Sequence, residues 1–150
     1  MPKKIIPIPV AKFATNIKTN CLGFALGLNF QFEHLEKCDL EPVFIDEIPD
    51  TVASFQKKLK EFDFEQLEQI SSIEDNKNRY VFMLFKFRKC LVNSFGCRYY
   101  VYDYHITRRE LDGTWVHKPG WNAPPCEIKG EDDWEEIFDE FGREYYLFAL

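Results

Sequence analysis

A chain of 150 residues, 45% hydrophobic, 29% charged and 17% aromatic, suits one domain with one core and excludes a disordered polymer. The net charge of −6 argues against nucleic acid as a partner, because affinity for phosphate backbones comes mainly from Lys and Arg. Five cysteines, an odd number without framework spacing, fit reduced thiols in a cytosol better than a disulfide scaffold.

Met1 to Val10 is basic at its start, but its apolar run is short and broken by Pro7 and Pro9. It predicts neither export signal nor membrane span, hence a cytoplasmic protein, and an edge strand around Ile5 to Val10. Thr15, Asn16, Thr19 and Asn20 offer N-cap side chains. The apolar run Cys21 to Leu28 then predicts a short buried helix, with Gly23 and Gly27 allowing close approach to a sheet. Residues 30–47, with His34, Cys38 and Pro42, have little periodicity. Asp50 caps a helix with Val52, Phe55, Leu59 and Phe62 inward, and Asp63 with Gln66 resembles a capping box for a second helix carrying Phe64, Leu67 and Ile70. The stretch from about 30 to 75 therefore reads as an insertion built on a helical hairpin.

Arg79 to Arg88 predicts a central strand, Asn93 to Gly96 a turn, and Arg98 to Arg108 a partner strand with apolar and aromatic residues on both faces. Lys86, Arg88, Lys89, Arg98, Arg108 and Arg109 read as exposed strand residues. Residues 119–130 predict a surface loop. Glu131 to Phe141 follows as a helix with Trp134, Ile137, Phe138 and Phe141 on one face, Gly142 as its terminator, and Tyr145 to Leu150 as a last strand. The class is α+β, a single domain over 1–150 with an N-terminal buried helix on an antiparallel sheet and additional helices.

Two of the three histidines flank Asp112-Gly113 in a stretch that predicts a β-hairpin. A two-residue loop would put His117 opposite Arg108, on the other face from His105. A three-residue loop, Leu111-Asp112-Gly113 with Gly113 left-handed, would put His117 opposite Thr107. The two imidazoles would then share a face as diagonal neighbours roughly 7–8 Å apart at the backbone. A type I turn followed by Gly is the usual three-residue solution and fits this sequence.

Asn20-Cys21-Leu22-Gly23-Phe24, followed by His105 and then His117, resembles the papain-like cysteine peptidases of the NlpC type. There a Cys opens a helix, a His begins a strand and a third polar residue lies on the next strand. Asn20 stands where that family usually has Asp, and Leu22 where it has Ser. The ending Asp112-Gly113, Trp115, His117-Lys118-Pro119-Gly120 also resembles a group of bacterial and phage proteins that pair an Asn-Cys motif with such a hairpin. The resemblance implies a papain-like fold and a cofactor-free thiol hydrolase of a peptide or amide bond. Cys21 would be the nucleophile, His105 would take and return the proton, and His117 would hold the His105 ring.

A Cys that opens a helix lies near unpaired N–H groups, which favours thiolate. The Cys21 N–H and a side-chain amide from Asn20 or Asn16 would then stabilise the oxyanion. Trp115 shares the histidine face and either walls a substrate cleft or packs in the core, and Asp103 on that face is a candidate partner for His105. No C-x-x-C or H-x-x-x-H pair predicts a metal site, and no glycine-rich loop predicts a phosphate cofactor. The alternative is a non-catalytic interaction or inhibitor protein of phage or mobile-element kind on the same scaffold, which would bind a protein partner. The acidic surface and abundant aromatics motivate it.

Overall fold

Twelve-residue strands dominate the architecture. In the computed structural model, which describes residues 20–27, 43–61, 63–120 and 123–150, strands β3 (Val81–Val92) and β4 (Arg98–Arg109) form one long antiparallel hairpin. Around it lie β1 (Val43–Phe44), β2 (Glu68–Ile70), β5 (Trp115–His117), β6 (Cys126–Ile128) and β7 (Tyr145–Ala149). The sheet runs in the order β2-β7-β3-β4-β5-β6, and β1 pairs β4. Every pairing is antiparallel. Helices α1 (Cys21–Ala25), α2 (Thr51–Glu61) and α3 (Glu131–Phe141) complete the α+β domain. Among the described residues, no helix is long and apolar enough to cross a membrane.

The central strands are apolar on both faces because helices cover both faces. On one, Phe82, Leu84, Tyr104, Ile106 and Phe148 pack with Leu22, Ala25 and Leu26 of the α1 segment and with Phe55 and Leu59 of α2. On the other, Met83 and Phe85 pack with Ile137 and Phe141 of α3, and Trp115 and Trp134 meet edge to face at 5.2 Å. The period-2 alternation of β3 and β4 thus sorts consecutive residues into two cores.

The Asp50 cap is present, its Oδ1 accepting the Ala53 N–H at 3.0 Å. Gly142 ends α3 with φ 84° and an N–H to the Phe138 carbonyl. α1 ends earlier than its apolar run suggests: Leu26 and Gly27 form a turn, with Gly27 at φ 82°. The helical hairpin is not formed. Asp63 adopts φ 58° just past α2, and residues 68–70 are strand β2 paired with β7, because a short sequence with apolar residues three apart also satisfies an edge strand. Within the expected loop 119–130, Cys126–Ile128 is strand β6, paired with β5. Val43–Phe44, at the end of the aperiodic stretch, is strand β1, paired with β4. The expected edge strand at 5–10, Asn16, His34, Cys38 and Phe62 lie outside the described residues.

The register of the β4–β5 hairpin follows the three-residue loop. Arg108 pairs with Val116 and Arg109 with Trp115, the Glu110 N–H meets the Thr114 carbonyl at 2.8 Å, and Gly113 sits at φ 93°. His117 therefore falls opposite Thr107, on the same face as His105.

Candidate functional site

A cavity of about 650 Å³ opens beside β4, and its walls include Asn20, Cys21, Asp103, His105, Gly120 and Phe141. Its position follows from an interruption in the sheet. On the β4 edge away from β3, β1 pairs at Val101 and Tyr102 and β5 at Arg108 and Arg109. Residues 103–106 between them have no strand partner on that edge among the described residues. Asn20 and Cys21 border the same cavity as Asp103, Tyr104 and His105, so the N-terminal end of α1 abuts this unpaired stretch. A helix packed on one face of the sheet thereby opens onto the same cavity as a histidine on the other face.

Asn20 builds the start of α1. Its backbone is extended, and its Oδ1 accepts the Gly23 N–H at 2.7 Å. This bond satisfies one of the donors that a helix start leaves without an intrahelical acceptor. Asn20→Ala is expected to cost about 1 kcal/mol of unfolding free energy, read by urea denaturation.

His105 and His117 are both buried, with 2.8 Å between His105 Nε2 and His117 Nδ1. The His105 ring is also stacked on Phe141 at 3.8 Å and 11°. Together these contacts fix its plane. Burial, and then the second imidazole beside it, hold His105 well below its ordinary 6.5. Burial pushes His117 down to about 4, against the opposing pull of the Asp133 carboxylate. The pair is neutral near pH 7, and a neutral pair shares one proton across the contact.

Asp103 borders the cavity but is not hydrogen-bonded to His105. Its Oδ1 accepts the Tyr104 N–H at 2.8 Å, and Oδ2 lies 3.7 Å from Lys89 Nζ. Trp115 packs on Trp134 and is not among the cavity walls, so its role is the core one. Of the residues expected at the site, Cys21, Asn20, Asp103 and His105 meet at the cavity, and His117 supports it from behind His105.

Arg108, expected at the surface, is buried completely. Its Nη1 donates to the Ala25 carbonyl at 2.9 Å, where α1 ends. Nε lies 3.0 Å from Glu110 Oε1, an ion-pair distance at an angle outside hydrogen-bond geometry, and the guanidinium is 5.0 Å from the Tyr80 ring centroid. The strand that carries His105 thus also grips the helix that carries Cys21. The available signal is parity: Tyr104, Ile106, Arg108 and Glu110 share one face, so an Arg two residues before a Glu continues a buried stripe. Lys118 is likewise buried, its Nζ donating to the Gly120 carbonyl.

Among the described residues, no cluster of three or more His, Cys, Asp or Glu is placed to hold a metal ion. No protein family matches the chain, and comparison with curated proteins and with solved structures gives no significant match.

Proposed function

We propose that the chain is a thiol hydrolase of the papain-like kind, cleaving a peptide or amide bond through Cys21, His105 and His117. The observation that carries this reading is the buried 2.8 Å contact between His105 Nε2 and His117 Nδ1, beside a cavity that Cys21 also borders. Free thiols at Cys90, Cys97 and Cys126 support a reducing, cytoplasmic setting.

With Nε2 engaged, Nδ1 is the nitrogen of His105 that exchanges protons with the cavity. In the productive tautomer the proton of His105 is on Nε2 and is donated to His117 Nδ1, which leaves Nδ1 of His105 basic. His105 takes the thiol proton as Cys21 Sγ attacks the substrate carbonyl carbon. The Cys21 N–H, in a helical first turn, stabilises the oxyanion. Return of the proton to the leaving nitrogen breaks the C–N bond and leaves a thioester. Water, deprotonated by His105, then attacks the thioester, and the carboxylic acid departs as the thiol is restored. Since burial favours neutral imidazoles, the proton moves during attack rather than resting on His105 beforehand.

The test is alkylation by iodoacetamide, followed by intact mass and peptide mapping, with the exposed Cys90 and Cys97 as internal references. Cys21 is expected to react about 10²-fold more slowly in His105→Ala, the lower end of what a positioned base contributes, and by a smaller factor in His117→Ala. Equal rates at Cys21 in wild type and both variants would overturn the hydrolase reading and leave a non-catalytic binder.

A further inference from the structure

The long β3–β4 hairpin extends past the rest of the sheet. β7 pairs with β3 only from Val81 to Phe85, and the Lys86 N–H still reaches the Glu144 carbonyl at 3.1 Å. Beyond that point, residues 87–92 have no strand partner on this side of β3 among the described residues. Lys86 faces the β7 side, so alternation puts the backbone N–H and C=O of Arg88, Cys90 and Val92 on the open edge, while the odd-numbered residues bond to β4. Arg88, Lys89, Cys90 and Val92 are exposed, and Phe95 at the hairpin tip is 89% exposed.

The charge of this arm is opposite to that of the chain. Residues 86–102 contain Lys86, Arg88, Lys89 and Arg98 and no carboxylate, in a protein of net charge −6. Lys86 pairs with Glu144 and Lys89 with Asp103 at the base of the arm. Neither Arg88 nor Arg98 has an ion-pair partner among the described residues, and Arg88 lies over the Tyr100 ring at 4.6 Å.

We infer that the open edge of β3 is a docking site for an extended acidic segment of a partner polypeptide, which adds as a strand along residues 87–92. Main-chain hydrogen bonds to Arg88, Cys90 and Val92 supply register, and Arg88 and Arg98 select carboxylates. A second copy of this edge is disfavoured, because edge-to-edge pairing would bring two cationic strands together. The same cations attract an acidic strand. Arg88, Lys89 and Cys90 also border the Cys21 cavity. The inference does not depend on Cys21 being catalytic.

Fluorescence anisotropy tests it with three labelled probes: a ten-residue peptide alternating Glu with Val and Thr, its Lys counterpart, and a twelve-nucleotide single-stranded DNA. The acidic peptide alone is expected to bind, about tenfold or more weakly in R88E/R98E and at raised salt. Cys90→Pro removes an edge donor while leaving the β4 ladder intact, and it too is expected to weaken binding about tenfold or more. Val92→Pro repeats that test at the next edge position should the first variant misfold by circular dichroism. Absence of acidic-peptide binding, binding indifferent to both prolines in folded protein, or binding of DNA in preference would each overturn the proposal.

Discussion

Arg108→Met is expected to lower the unfolding free energy by about 3–5 kcal/mol, the range for removing one member of a buried ion pair. Arg108 has no exposed surface and Glu110 is 8% exposed, so the substitution leaves a carboxylate in a largely dry site. It also deletes the donor to the Ala25 carbonyl and releases the end of α1. Replacing both partners, as in R108M/E110Q, is expected to recover part of the loss, because no unpaired charge then remains. Urea unfolding of the single and double variants checks both statements. Arg108→Lys keeps the charge but not the fork that reaches Ala25 and Glu110 together, and it is expected to fall between wild type and Arg108→Met.

Acid is expected to remove stability from the same region. An imidazole held below its unfolded pKa binds fewer protons when folded, so its contribution is present above about pH 6.5 and is lost as the pH falls toward its folded value. For His117, moved from 6.5 to about 4, the loss across that window is about 3 kcal/mol, and below about pH 4 it levels off. His105 adds in the same direction, since it too is depressed by burial. Urea unfolding at a series of pH values from 7 to 4 measures the slope. His117→Phe is expected to flatten it.

Much of this site was legible in the chain because it depends on short-range rules. Asp112-Gly113 with strand-forming flanks specifies the hairpin, and a three-residue loop brings His105 and His117 to one face by parity alone. Asn20 announces the start of α1, and the face of α3 that carries Phe141 follows from its period. What escaped depends on partners distant in sequence. Phe64, Leu67 and Ile70 satisfy helix spacing, yet residues 68–70 are held as a strand by β7, some eighty residues later. Cys126–Ile128 follows two prolines and has only three residues with which to announce a strand. Parity places Arg108 on a buried stripe, but the carbonyl that receives it lies 83 residues away, where no local pattern points. The placement of Cys21 depends on the unpaired residues 103–106, an interruption visible only once β1 and β5 have both found β4.

That interruption also sets an order of assembly. A five-residue helix is far below the roughly 12–15 residues at which isolated helices become even marginal in water. α1 consequently has no persistence of its own and is expected to form only after β4 and β5 present the recess, the Arg108 guanidinium and the apolar face that receive it. Its amides should exchange with deuterium well before those of β3 and β4, through opening that leaves the sheet intact. The placement of Cys21 at the cavity is therefore expected to be a late event, and the most easily undone, in the folding of this chain.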